Sequence, residues 1–148
     1  MHEVRVATPE DAESVRQLYG RIIGDAAWLP EDARSRTDFA SVSEGEVVYV
    51  SLAADGRLEG FVSVYESESF VHHLFVAPEF ARRGVGTAFH SFLEATLPFP
   101  WRLKCVRANE AALAFYASLG WREAGSGDGE QGAYVVLELG RRPHASIE

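Results

Sequence analysis

Leu74-Phe75-Val76-Ala77-Pro78-Glu79-Phe80-Ala81-Arg82-Arg83-Gly84-Val85-Gly86-Thr87 is the stretch that decides how this 148-residue chain is read. A β-prone run from Phe70 to Val76 is broken by Pro78. After a short connection two glycines open a segment whose Val85, Ala88, Phe89, Phe92 and Leu93 recur at helical spacing. Strand, loop and helix start, in that order, make a place for an anion. The first amides of a helix lack intrahelical partners and lie at the positive end of its dipole. Glycines let a phosphate approach that backbone closely, so the segment suits a pyrophosphate, and Arg82 and Arg83 add charge beside it. An ordinary strand-to-helix turn reads the same way, because Gly-x-Gly alone is common.

Toward the C-terminus, Pro98 and Pro100 end that helix, and Trp101 to Val106 reads as a strand. Asn109 opens a helix whose Ala112, Phe115, Tyr116 and Leu119 share a face, and Gly120 stops it. Trp121 to Ser126 and Ala133 to Leu139 are strands around a Gly-rich turn, and 141–148 reads as a loose tail. Toward the N-terminus, Val47 to Leu52 and Leu58 to Tyr65 flank the hairpin signal Ala54-Asp55-Gly56-Arg57. A polar helix over about 31–43 precedes them, after a loop at 24–30 that holds Trp28. Thr8-Pro9-Glu10-Asp11 starts a first helix with a capping threonine, a proline and acids in the first turn; its stripe is Ala12, Val15, Leu18, Tyr19 and Ile22. Val4 to Val6 is a short first strand. The order β-α-α-β-β-β-α-β-α-β-β predicts one α/β (α+β) domain over 1–140: a mixed sheet of about seven strands with about four helices on its two faces.

Charge narrows the partners. Residues 1–70 carry 14 acidic and 6 basic side chains, a balance of −8, whereas 71–148 carry 8 of each. A field of that sign repels nucleic acid and favours cationic small molecules, although solubility alone also explains it. No apolar run is long enough to span a bilayer. Met1-His2-Glu3-Val4-Arg5 lacks the pattern of a signal peptide, and the single cysteine, Cys105, suits a reducing compartment, so a cytoplasmic protein is expected.

Taken together, two segments carry a family resemblance. Ala81-Arg82-Arg83-Gly84-Val85-Gly86 matches the acetyl-CoA loop Gln/Arg-x-x-Gly-x-Gly/Ala of the GNAT (GCN5-related N-acetyltransferase) superfamily, with Ala81 departing at the leading position. Asn109, Phe115, Tyr116, Gly120 and Trp121 match its later Asn-x5-Phe-Tyr-x3-Gly-aromatic pattern. The chain resembles that superfamily over nearly its whole length. The resemblance implies a GNAT-like fold and transfer of an acetyl group from acetyl-CoA to a primary amine by direct attack in a ternary complex. It implies a splay between the strand ending at Val76 and the strand 101–106, where Leu74, Phe75 and Val76 pair with the pantetheine arm. The amides from Arg82 and Arg83 through Gly84, Val85 and Gly86 to Thr87 would hold the pyrophosphate. Asn109 would contact the cofactor, Phe115 would pack beside it, and Tyr116 would sit by the sulfur and hydrogen-bond the leaving thiolate.

The amine must also lose a proton. His72 and His73 precede the cofactor-binding part of their strand, and an imidazole titrates near neutrality, so each is a candidate base. Strand alternation puts them on opposite faces, with one toward the acceptor. Glu66 and Glu68 are rivals, or ligands for a cationic acceptor, and Trp28 is placed in the acceptor wall; packing or surface roles explain each of these residues too. No metal site is expected, because adjacent strand histidines do not point at one ion and no third ligand is suitably spaced. Cys105, in an alternating strand, reads as a small buried hydrophobe.

The main rival function is an acyl-CoA-binding sensor or regulatory module of the same fold that does not catalyse. A dinucleotide-binding reading fails: the loop lacks a third glycine and residue 104, where an acid belongs, is Lys104. The expected acceptor is a small cationic molecule or a peptide amino group. A homodimer through Ala133–Leu139 as an edge strand is open.

Overall fold

The computed structural model describes residues 2–27, 29, 31 and 39–140. Trp28, most of the helix expected over 31–43 and the tail 141–148 lie outside the described residues. The elements are β1 (Glu3–Val6), α1 (Ala12–Gly24), α2 (Phe39–Val42), β2 (Val47–Leu52), β3 (Leu58–Tyr65), β4 (Phe70–Val76), α3 (Val85–Glu94), β5 (Trp101–Val106), α4 (Glu110–Ser118), β6 (Arg122–Gly129) and β7 (Gly132–Leu139). Three of the helices exceed one turn; α2 is a single turn. The seven strands form one mixed sheet in the order β1-β2-β3-β4-β5-β7-β6.

The entry into α1 follows the expected chemistry. Asp11 Oδ2 accepts from the Thr8 amide at 2.7 Å and from Thr8 Oγ1 at 3.0 Å, while Arg5 Nη1 donates to it at 2.8 Å. The guanidinium of Arg5, opposed by partial burial and helped by the Thr8 amide, holds the Asp11 carboxyl down at about 2. Val15, Leu18, Tyr19 and Ile23 of α1 are buried. Tyr19 and Phe39 pack over His73, Phe75 and Phe61 on one face of the sheet. On the opposite face Phe92 of α3 packs against Tyr49 of β2. Phe115 of α4 packs beside His90 of α3, so α3 and α4 share that side. The sheet is thus covered on both faces, because each has its own apolar row.

Two features position the site. First, β4 and β5 run parallel but pair only at Phe70 and Arg102. Second, β4 carries a bulge: Ser63 pairs with His73 and Val64 with Val71, leaving His72 without an opposite residue. A bulge bends its strand and raises the local twist. It falls just past the last β4–β5 pair, where the two strands part.

One expectation is corrected here. Ala133–Leu139 is not an edge: β7 is paired with β5 on one side and β6 on the other, and β6 and β1 are the edges. The β6–β7 hairpin folds back so that its second strand enters the sheet first.

Candidate active site

Between the parted strands lies a cleft of about 1080 Å³. Leu74, Phe75 and Val76 line one wall and Lys104, Cys105 and Val106 the other. The last turn of α1 and the tip of the β6–β7 hairpin close its sides, and His72, His73, Asn109 and Tyr116 face into it.

The glycine loop follows the Val76 end of β4, and Arg82 to Thr87 and Phe115 are not among the residues that line this cleft. Gly84 immediately precedes α3 with φ +84°, and Arg82 adopts φ +63°. Left-handed residues in such a loop turn successive amides toward one side, which is how a backbone anion nest is made. A non-glycine residue held at positive φ is strained, and strain of this kind gathers at functional loops. The amides at the start of α3 have no intrahelical acceptor. Gly86 has a different reason for being glycine: an added Cβ would lie 2.5 Å from Phe115 Cζ. It allows α4 to dock on α3, so Phe115 braces the loop from behind. Asn109 caps α4, its Oδ1 accepting from the Ala112 amide at 3.2 Å. The loop's other support comes from the N-terminus, where His2 Nε2 lies 2.8 Å from the Arg83 carbonyl oxygen.

Tyr116 is buried between Phe115 and Trp121, its ring lining the cleft. Burial, reinforced by nearby Cys105, raises its pKa well above that of a free phenol. It therefore stays protonated, a hydrogen-bond donor rather than an acid. Behind it, Trp121 Nε1 donates to His90 Nε2 at 3.0 Å, and His90 Nδ1 donates to the Gly86 carbonyl at 2.8 Å. Cys105 is buried as expected, its thiol pushed up to about 11 by that burial.

On β4 itself the bulge overturns the alternation expected for His72 and His73. Their rings lie on the same side, with centroids 3.9 Å apart. The extra residue in β4 shifts His72 out of the two-residue period, so adjacent side chains converge. Their surroundings differ. His73 is mostly buried, Ser63 Oγ lies 2.9 Å from its Nδ1, and burial with the neighbouring His72 pushes its pKa down to about 3. It is neutral. His72 is partly exposed, and its Nδ1 is 2.5 Å from Glu46 Oε2. Glu46, 26 residues upstream at the start of β2, is a site residue that sequence reasoning missed; a single acid before a strand gives no signal of it.

Glu66 and Glu68 are not brought to this place. Neither lines the cleft, and Glu66 Oε2 accepts from the Tyr49 hydroxyl at 2.9 Å, on the face that carries α3. The alternation of β2 places Tyr49 opposite to the row facing α1, and the carboxylate follows it.

Comparison with known proteins agrees with this geometry. The acetyltransferase (GNAT) domain model matches residues 12–136, and the chain belongs to that family. Peptidyl-lysine N-acetyltransferase YiaC of Escherichia coli (strain K12) is 37% identical over 67 residues, a match spanning 45% of this chain and 44% of that protein. The fold is shared with apo YjaB of Escherichia coli, at 19% identity and TM-score 0.79 over 94% of this chain and 97% of that one. It is also shared with yncA of Salmonella typhimurium, a putative acetyltransferase solved with acetyl-CoA, at 18% identity and TM-score 0.66 over 100% and 98% of the two chains. Acetyl-CoA is the cofactor of the family, and the split sheet leaves room beside β4 for an extended arm. No helix among the described residues is long and apolar enough to cross a membrane.

Proposed function

We propose that this acetyltransferase acts on a primary amine, a small cationic molecule or a peptide amino group, with His72 as proton acceptor and Tyr116 as hydrogen-bond donor. The observation that carries the reading is the pairing of a carboxylate-held, partly exposed histidine with a buried protonated tyrosine in one cleft. When bound, acetyl-CoA supplies an activated thioester carbonyl. His72 takes the proton that the attacking amine must lose. Its Nδ1 is held by Glu46, which fixes the ring and stabilises the imidazolium formed, as a carboxylate behind a catalytic histidine does. His73, neutral and tied to Ser63, packs beside His72. Backbone N–H at the end of β4 would polarise the carbonyl. Tyr116 donates a hydrogen bond toward the departing sulfur without giving up its proton.

The acceptor class rests on the acidic first half of the chain and on YiaC, whose name records peptidyl-lysine as its substrate. The test is acetyl-CoA titration followed by a free-thiol assay with a panel of polyamines, amino-acid amides and lysine peptides. Saturating acetyl-CoA raises the melting temperature by a few degrees, and at least one cationic amine releases thiol above the blank. Stabilisation with no thiol release from any amine would make the chain an acyl-CoA sensor instead.

A further inference from the structure

We propose that Glu46, His72 and His73 form a binding site for a divalent transition-metal ion of the Zn²⁺ class at the acceptor limb of the cleft. Each offers one ligand atom, and the three atoms lie within 4.8 Å of one another. Three ligands ~2.1 Å from a tetrahedral ion stand about 3.4 Å apart, so an inward shift of about 1 Å closes the set. Two imidazoles and one carboxylate suit zinc better than calcium or magnesium, which prefer oxygen.

Two geometric details point to an ion. Glu46 Oε1 is the one buried side-chain polar atom among the described residues without a hydrogen-bond partner. The Glu46 side chain is only 9% exposed, so water does not readily satisfy that oxygen from outside. A buried carboxylate oxygen without a partner calls for one, and a cation held by the same carboxylate and the two histidines would supply it. Next, Ser63 already sits at Nδ1 of His73, leaving Nε2 as the open nitrogen. Metal-bound histidines are held in this way from behind. The tyrosine, phenylalanine and histidine rings around His73 fix its orientation before any ion arrives.

Metal binding and proton acceptance exclude one another here. An ion in the site displaces the proton shared by Glu46 and His72 and takes the carboxylate that orients the base. The site therefore works as a zinc-sensitive brake on acetyl transfer. That consequence rests on the function proposed above, whereas the binding itself does not.

Calorimetry with ZnCl₂ and visible absorption with CoCl₂, each added to the metal-free full-length chain, separate the two. One ion per chain is expected, with Co²⁺ bands of a nitrogen and oxygen site and no thiolate charge-transfer band. His72→Gln and Glu46→Gln each weaken Zn²⁺ at least tenfold, and Ser63→Ala weakens it by about tenfold through the lost support of His73. Unchanged melting temperatures show that the variants remain folded; if one does not, the other two carry the test. No uptake at millimolar Zn²⁺, or uptake that His72→Gln and Glu46→Gln leave unaltered, overturns the site. In the thiol-release assay Zn²⁺ abolishes turnover and a chelator restores it. Zn²⁺ bound at these residues with turnover unaffected overturns the brake, and a chain without turnover on any amine still gives the calorimetric answer.

Discussion

The two limbs of the cleft are built from different material. The limb proposed to hold the cofactor is backbone: amides at the start of α3, a glycine and an arginine at positive φ, and a strand whose partner has moved away. The limb proposed to receive the acceptor is side chains from separate segments, Glu46 ahead of β2, Ser63 on β3, and His72 and His73 on β4, gathered by one bulge. A backbone site tolerates almost any side chain except where a Cβ has no room. A side-chain site depends on a particular rotamer and partner, and a one-residue slip dismantles it. Cofactor binding and proton transfer should therefore respond to different substitutions.

The largest effect is expected at the acceptor limb. His72→Gln should lower kcat by about 10²-fold or more, the usual worth of a positioned base, with acetyl-CoA affinity unchanged. Tyr116→Phe should lower it by about tenfold, the worth of one hydrogen bond made in the transition state. Steady-state kinetics beside an acetyl-CoA titration check both. Loss of cofactor binding with His72→Gln would erase the distinction between the limbs.

A smaller effect, of the opposite kind, is expected from Gly86→Ala. Alanine in a helix gains about 1 kcal/mol over glycine, but a methyl 2.5 Å from Phe115 Cζ costs about 1–3 kcal/mol of overpacking. The clash wins. Thermal unfolding should show lower stability and titration a weaker hold on acetyl-CoA, and adding Phe115→Leu should recover part of both. A neutral Gly86→Ala would mean that α4 does not brace the loop.

The smallest effect serves as the control, distant from both limbs. Asp11→Asn removes the capping carboxylate and its pair with Arg5 and should cost about 1 kcal/mol at neutral pH. The folded pKa is depressed, to about 2, so this stability is present above the ordinary carboxylate range and is lost as pH falls through it toward 2. Unfolding of both proteins across that range should show the difference shrinking, with kcat and acetyl-CoA affinity equal at neutral pH. A change in either would tie α1's start to the site.

Most of the fold was legible because the chain's periodicities are local. β-Prone runs between turn signals marked β2, β3, β4 and β5 to the residue, and Pro98, Gly120 and Thr8-Pro9 marked where helices stop and start. The glycine loop was legible for the same reason, since a loop between a strand and a helix is a feature of consecutive residues. The acceptor limb was not. His72 and His73 were visible as candidates, but alternation assigned them opposite faces, and nothing near Glu46 announced its partner.

What the sequence alone determined is therefore the order of elements, the family and the place of the glycine loop between a strand and a helix. Tertiary structure decided which strand lies at the edge, that Gly86 is glycine for the sake of Phe115, and that Glu66 turns to Tyr49 instead of the cleft. It also decided that His72 and His73 converge on Glu46. The physical reason is range. Hydrophobic period, caps and turns act between residues a few positions apart, whereas a bulge is fixed by the register between two strands and sends its effect to a residue 26 positions away.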